Sequence, residues 1–223
     1  MPVIAIVGAG PGLGLSIARR FGAEGFRVAL ISRTQEKVDT LAATLAEEGI
    51  EAAGFSADVA RPETLQAALA AVADRFGPVD VLEYSPADRA LAGAAAVEAT
   101  AEDIQRQIDF YLYGAVAAVR QVLPAMLERG TGTLLFSTGA SSVRPLGGPF
   151  GATGVAAAAL RNYAMALGAD LAERGVHSAH VAIGVFIGTG PGTEAETIAE
   201  HYWDAYTKRD RPEIVHTVPG GIW

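Results

Sequence analysis

The start of the chain constrains the fold most, because an apolar run there breaks into glycines and then continues as a helical pattern. Residues 3–7 read Val-Ile-Ala-Ile-Val, and glycines follow at Gly8, Gly10, Gly12 and Gly14. An unbroken β-branched run is typical of a strand buried in a parallel sheet. Glycines let the backbone approach a ligand, and the N-terminus of the next helix favours a phosphate. The segment predicts a strand, a dinucleotide-binding turn and a helix, with a purely steric turn as the alternative.

The rest of the chain alternates short β-rich runs with long alanine-rich stretches, which indicates βαβ units on a parallel sheet. We expect strands near 3–7, 27–31, 51–56, 79–83, 132–137, 178–185 and 213–218, and helices near 13–25, 35–48, 62–76, 101–128, 150–174 and 193–208. The predicted fold class is α/β: a Rossmann-type, doubly wound, predominantly parallel seven-stranded sheet with helices on both faces. A single domain would cover 1–223, with the cofactor half mainly in 1–100 and the substrate and oligomerisation half mainly in 101–223.

Composition narrows the classes of partner. The formal net charge is -8 and the 17 basic residues are scattered, so we expect a small-molecule substrate and no nucleic acid. The chain has no cysteine and no metal-ligand spacing, so no metal site is expected. No apolar run reaches the ~18 residues of a membrane span, so no membrane partner is expected. No export signal is visible, which predicts a cytoplasmic protein.

The ends of the second and third predicted strands suggest how the nucleotide is selected. Ser32 and Arg33 end the second strand, where a guanidinium suits the 2′-phosphate of NADP(H) and an acidic residue would suit NAD(H). Asp58 and Val59 end the third strand, where the carboxylate could accept a hydrogen bond from adenine. Leu13 completes the predicted contacts of the glycine turn. NADP(H) is therefore favoured over NAD(H), although Arg33 could also be a solvated turn residue and Asp58 could simply precede a helix.

These residues carry a resemblance to the short-chain dehydrogenase/reductase family over almost the whole chain. The matching motifs are 8–14, Ser32-Arg33, Asp58-Val59, 80–82 and the strand and loop at 132–142. The resemblance implies a Rossmann-type sheet, a nicotinamide cofactor, and a homodimer or homotetramer. The glycine motif departs from the family pattern at Val7, where a threonine is usual.

The catalytic residues of that family are largely replaced. The family has a tyrosine and, four residues later, a lysine; Phe150 and Gly154 stand at these places, and phenylalanine has no hydroxyl with which to move a proton. The family's serine corresponds to Ser137, with Thr138 and Ser141 within a loop shift.

Tyrosines stand at two further places where the family has asparagine. Tyr111 replaces a helix asparagine, and Tyr84-Ser85 begin the segment that replaces a strand-end Asn-Asn-Ala-Gly. We predict that Ser137 and Tyr111 are catalytic, although tyrosines on a helix face often only pack. The predicted substrate pocket comprises Tyr84, Ser85, Phe150, Phe186 and Tyr202. His177 and His180 are expected to have core or edge roles.

Three hypotheses about function remain open. The first is an NADP(H)-dependent reductase with a non-standard active site, which transfers a hydride to a carbonyl or to an imine or iminium. The second is a non-redox enzyme on the same fold, such as a cyclase or a lyase. The third is an inactive dinucleotide-binding protein or partner subunit.

Overall fold

Seven parallel strands form the central sheet of the computed structural model, which describes residues 1–88, 91 and 93–219. The strands are β1 (Val3–Val7), β2 (Arg27–Ser32), β3 (Ala52–Ser56), β4 (Val81–Tyr84), β5 (Gly132–Gly139), β6 (Val176–Ile183) and β7 (Glu213–His216). Their order across the sheet is β3-β2-β1-β4-β5-β6-β7, and every neighbouring pair is parallel. The winding direction reverses between β1 and β4, which is where ligands bind in open α/β sheets. The predicted α/β fold class is confirmed.

Helices cover both faces of the sheet because the strands are apolar on both sides. The helices are α1 (Leu13–Gly22), α2 (Gln35–Glu47), α3 (Pro62–Phe76), α4 (Ala101–Ile108), α5 (Gly114–Arg129), α6 (Gly151–Leu171) and α7 (Ala195–Lys208). Side chains of a strand alternate between faces. Ile4 and Ile6 accordingly pack with α1, α2 and α7, whereas Val3 and Val7 pack with α3, α5 and α6. The two layers of core position the carboxyl edge of the sheet between them.

Several element boundaries differ from the prediction. The helix expected over 101–128 contains a five-residue π-helical turn, Asp109–Tyr113, between α4 and α5. The helix expected from residue 150 begins at Gly151, after a 3-10 turn over Gly148–Phe150. The strand expected over 178–185 runs instead over Val176–Ile183. These shifts lie at turns, where local sequence pattern constrains the backbone least.

The continuous helical stretch Ala101–Arg129 is long enough to span a membrane, and an 18-residue window within it is apolar enough, with a mean hydropathy of 1.3. The window is not an unbroken apolar run, because it includes Arg120, so the expectation of no membrane partner stays a prediction. Of the residues in that window, 44% are buried inside the molecule. A helix packed in a protein core passes the same test of length and composition, so the finding is weak evidence for a span.

Candidate functional site

The glycine turn between β1 and α1 needs a glycine at its first position. Gly8 has a φ of +100°, and its N–H donates to the Ile31 carbonyl at 2.9 Å. A Cβ built on Gly8 would stand 2.5 Å from Pro86 Cα, closer than packed atoms allow. The segment after β4 is thus packed directly against the start of the turn.

The rest of the turn leaves space for a ligand at the N-terminus of α1. A Cβ on Gly10 or Gly12 would meet nothing within 4 Å, whereas one on Gly14 would stand 3.0 Å from Ala9 Cα. The first turn of α1, which begins at the half-buried Leu13, contains no acidic residue to compete for the free N–H groups. An open turn at a helix N-terminus suits a pyrophosphate, so these residues fit a dinucleotide.

The second predicted cofactor contact is held in an ion pair. Arg33 is exposed just beyond the end of β2, next to the half-buried Ser32. The Arg33 Nη1 donates to Asp88 Oδ2 at 2.6 Å. Arg33 therefore lies just beyond the end of β2, as the sequence predicts for a contact with a 2′-phosphate, and its guanidinium is bound by a carboxylate from the segment after β4.

Asp58 and Val59 form the turn that leads from β3 to α3. The Asp58 carboxylate accepts a hydrogen bond from the Ala60 N–H at 3.1 Å, and the Asp58 N–H donates to Thr64 Oγ1 at 3.0 Å. Val59 is buried in the core. In this structure Asp58 stabilises its own turn, and its half-buried carboxylate remains at the carboxyl edge of the sheet.

The two positions that replace the family's tyrosine and lysine lie at the start of α6. Phe150 is half-buried in the 3-10 turn that precedes the helix. The three atoms nearest to a Cβ built on Gly154 all belong to Ser141, the closest at 3.5 Å. Ser141 is therefore the serine beside Gly154.

Ser137 is part of a buried polar cluster on the opposite face of the sheet. Its Oγ lies 2.5 Å from the Tyr202 hydroxyl on α7 and 3.3 Å from Glu83 Oε1 on β4. The other carboxyl oxygen of Glu83 accepts a hydrogen bond from Ser85 Oγ at 3.0 Å. Glu83 and Tyr202 are fully buried, whereas Ser137 keeps 6% exposure and Ser85 is half-buried. Ser137 and Ser85 are thus the members of this cluster that reach the surface.

Burial makes Glu83 a neutral acid at neutral pH. Desolvation raises the pKa of its carboxyl to about 8, against the opposite effect of the hydrogen bonds from Ser85 and Ser137. Burial, and secondarily the nearby Glu83, also raises the pKa of Tyr202 well above its usual range. Of these two groups, Glu83 has the pKa closer to neutrality, so it is the better proton donor at working pH.

A second hydrogen-bonded chain runs along the α6 side of the sheet. Thr138 Oγ1 lies 2.7 Å from Ser142 Oγ and 2.8 Å from His180 Nε2, and His180 Nδ1 lies 3.0 Å from Glu213 Oε1. Arg161 from α6 binds both oxygens of Glu213, at 2.5 and 2.8 Å. The chain therefore joins a half-exposed ion pair to the turn that contains Ser142.

The charges of this second chain follow from its surroundings. Burial lowers the pKa of His180 although Glu213 acts to raise it, and the hydrogen bonds from Arg161 lower the pKa of Glu213. The neutral imidazole donates from Nδ1 to the ionised Glu213, so Nε2 is left to accept from Thr138, a tautomer assigned from the partners. His180 in this state is a base and carries no transferable proton toward Thr138.

Several predicted pocket residues lie elsewhere. Tyr84 is completely buried in the core and donates to the Phe110 carbonyl at 2.7 Å, because strand alternation turns it toward α5. The structure therefore corrects its assignment to a pocket lining, and likewise that of the fully buried Tyr202. Phe186 is 59% exposed in the segment after β6.

Tyr111, predicted to be catalytic, lies half-buried in the π-helical turn. Its ring packs edge-on against that of Phe110, 5.1 Å away. Burial raises its pKa, with a smaller contribution from Asp88. A phenol with a raised pKa is a weaker acid at neutral pH, so acidity favours Glu83 over Tyr111 as a proton source.

Few features of the sequence point to the residues that complete the two polar clusters. Glu83 stands alone between apolar neighbours in β4, and an acid inside a buried strand is the one signal that could have been noticed. His180 was expected in a core or edge role, and Glu213 and Asp88 carried no motif. Among the described residues, no group of three or more His, Asp or Glu side chains is placed to hold a metal ion.

Comparison with known proteins identifies the family. Residues 2–196 match the family model described as short chain dehydrogenase. A putative ketoacyl reductase of Streptomyces coelicolor is 37% identical over 228 residues, covering 98% of this chain and 83% of the relative. The granaticin polyketide synthase putative ketoacyl reductase 1 of Streptomyces violaceoruber is 33% identical, covering 99% and 80%.

Solved structures agree with these sequence relatives. A short-chain dehydrogenase from Rhodopseudomonas palustris superposes with a TM-score of 0.84 at 26% identity, covering 98% of each chain. A variant of actinorhodin polyketide ketoreductase, solved with NADPH, gives a TM-score of 0.78 at 33% identity, covering 92% of this chain and 77% of the other. The chain thus belongs to the short-chain dehydrogenase/reductase family of oxidoreductases.

Proposed function

We propose that this protein is an NADP(H)-dependent reductase of a small-molecule carbonyl, imine or iminium in which Glu83 and Ser137 supply the proton. The observation that carries the proposal is a fully buried carboxyl 3.3 Å from Ser137 Oγ, at the carboxyl edge of the sheet that also holds the open glycine turn; burial raises the pKa of this carboxyl. The ketoacyl reductases among its relatives support a carbonyl as the electrophile.

The residues that would hold the dinucleotide are those of the turn and of the end of β2. Gly10 and Gly12 leave room for the pyrophosphate, and Arg33 would bind the 2′-phosphate. The NADPH complex of the related actinorhodin ketoreductase supports this choice of nucleotide. When bound, NADPH supplies a hydride to the substrate carbon.

The proton follows a short path. Reduction of a carbonyl leaves a negative oxygen, which takes the proton of the Ser137 hydroxyl, and Ser137 is reprotonated by the Glu83 carboxylic acid. Glu83 becomes a carboxylate that accepts hydrogen bonds from Ser85 and Ser137, and a proton from water restores the acid. The hydrogen-bonded chain at His180 is not used in this direction because its imidazole is neutral and its Nε2 accepts a hydrogen bond from Thr138.

The replacement of the usual phenol and ammonium by Phe150 and Gly154 favours a second candidate. A protein with an intact nucleotide turn and without those two groups could bind NADP(H) and catalyse nothing. A third possibility, a non-redox enzyme on this fold, would form product without consuming NADPH.

A kinetic comparison tests the proposal. We would follow NADPH oxidation with a cyclic ketone, an aryl ketone, a β-ketoester and a cyclic iminium, using the wild type, Glu83→Gln and Ser137→Ala. Ser178→Ala is the matched control, since Ser178 is also a buried serine of the sheet and its hydroxyl donates to the Ala164 carbonyl, at 2.8 Å, away from Glu83. Loss of a general acid should lower carbonyl turnover about 100-fold or more. Binding of NADPH, measured by fluorescence, should persist.

The pH profile gives a further criterion. Turnover of the wild type should fall as the pH rises through about 8, where Glu83 loses its proton. Turnover that is equal in Glu83→Gln and wild type would reject the proton path. Tight binding of NADPH with no oxidation of it would favour the non-catalytic candidate.

A further inference from the structure

The ion pair between Arg33 and Asp88 crosses the groove in which a dinucleotide would lie. Arg33 follows β2 and Asp88 follows β4, while β1 lies between these two strands in the sheet. The bridge therefore passes over the carboxyl end of β1, where the glycine turn begins. A nucleotide that extends across this edge has to pass the same line.

We infer that Asp88 is a specificity-determining residue that holds Arg33 until a 2′-phosphate displaces it. This inference rests on the proposed binding of NADP(H). It adds that the 2′-phosphate competes with the Asp88 carboxylate for the Arg33 guanidinium. The 2′-phosphate and the Asp88 carboxylate are alternative partners of the same guanidinium, so binding of the phosphate releases Asp88 from the pair.

The charges and exposures favour such an exchange. The side chain of Arg33 is 55% exposed, so a ligand can reach it, whereas that of Asp88 is only 15% exposed. A phosphate monoester carries between about one and a half and two negative charges at pH 7 and binds a guanidinium in a bidentate manner. A single carboxylate is the weaker competitor for Arg33. A nucleotide without the 2′-phosphate offers no anion at this place and leaves the pair intact or breaks it without compensation.

The pair also connects nucleotide binding to the segment that follows β4. Pro86, two residues before Asp88, packs against Gly8 in the glycine turn. Ser85 from the same segment bonds Glu83 in the buried cluster. Release of Asp88 by NADP(H) would therefore act on a segment that contacts both the nucleotide turn and the proposed proton donor.

Binding of two adenosine phosphates tests the inference without a substrate. We would titrate adenosine 2′,5′-bisphosphate and 5′-AMP calorimetrically into the wild type, Asp88→Asn, Arg33→Ala and the double variant. Asp88→Asn should tighten binding of the bisphosphate about two- to fivefold, the range expected when a partly exposed competing ion pair is removed. Its effect on 5′-AMP should be absent. Arg33→Ala should weaken the bisphosphate about tenfold or more, since it removes a charge-assisted contact.

The double variant and a control separate the explanations. Asp88→Asn should not tighten binding of the bisphosphate in the Arg33→Ala background, because the guanidinium for which the two anions compete is gone. Asp204→Asn breaks another exposed pair, with Lys208 at 2.8 Å on α7, and should leave binding unchanged. Unchanged or weaker binding of the bisphosphate to Asp88→Asn would overturn the inference, as would an equal gain without Arg33. If neither NADPH nor the bisphosphate bound the wild type, the proposed function itself would fail, and the inference with it.

Discussion

Replacement of Glu83 by glutamine should make the protein more stable at neutral and alkaline pH. Glutamine has nearly the same shape and carries no charge at any pH, and its amide can still bond the hydroxyls of Ser85 and Ser137. In the folded wild type the buried carboxyl has a pKa of about 8, so it keeps its proton below that pH, whereas in the unfolded chain the group has a pKa near 4.5. Between these values the folded state binds one proton more than the unfolded state. The free energy of unfolding of the wild type therefore falls as the pH rises through this window.

The size of the effect follows from the shift. The window from 4.5 to about 8 spans roughly 3.5 pH units, and each unit is worth about 1.4 kcal/mol. Glu83 thus costs about 3 kcal/mol at pH 7 and about 5 kcal/mol above pH 8, relative to a group with an unshifted pKa. The cost disappears below about pH 4.5, where both states hold the proton. The glutamine variant lacks this dependence altogether.

Urea denaturation at several pH values measures the difference. We expect the free energy of unfolding of Glu83→Gln, minus that of the wild type, to increase by about 3 kcal/mol or more between pH 5 and pH 8. Glu128→Gln, an exposed position on α5, is the control and should follow the wild type at each pH. Parallel stability curves for Glu83→Gln and wild type would show that Glu83 is ionised in the folded protein. That result would also remove the proton donor from the proposed mechanism.

Two further substitutions test the local geometry. Gly8→Ala should lower the free energy of unfolding by more than about 1 kcal/mol and abolish NADPH binding, because its Cβ would meet Pro86 at a φ of +100°. Gly25→Ala is the control: its φ is +85°, but a Cβ there would meet no atom within 4 Å, so it has the backbone strain without the clash. Equal losses of stability in thermal melting would refute the packing argument. Thr138→Val should lower the free energy of unfolding, measured by urea denaturation, by about 1 to 3 kcal/mol, because it leaves His180 and Ser142 without the hydroxyl that both contact. Thr138→Ser keeps that hydroxyl and should retain most of the stability. Equal stabilities of the two variants would show that the hydroxyl contributes nothing.

The fold and the nucleotide turn could be predicted from sequence because their signals are local. The strand at 3–7 was predicted with the bounds that the structure has, since its apolar run is followed at once by glycine. The helix boundaries were less accurate where tertiary contacts decide them. Cytoplasmic location and assembly into a homodimer or homotetramer stay predictions, which fractionation and light scattering would test.

The polar clusters could not be predicted in the same way because their members are far apart in the chain. Ser137 was assigned from its place in a motif, but the direction of its side chain depends on the register of β5 against its neighbours. Its partner Tyr202 is 65 residues away, and Arg33 is 55 residues from Asp88. Tyr84 shows the converse: strand alternation places it on the same face as Leu82, so its burial could have been foreseen.

The π-helical turn Asp109–Tyr113 determines which side of α5 meets the sheet. Successive residues of an α-helix are about 100° apart around the helix axis. Deletion of one residue from the turn would therefore rotate all of α5 about its axis by that angle. Gly114 would then leave its place beside the Tyr84 hydroxyl, where even a methyl group would stand 2.3 Å from the oxygen. A homologue with an uninterrupted helix at this point should therefore bury a different set of residues along the part of the helix that corresponds to α5. The length of this turn can thus guide the alignment of distant relatives.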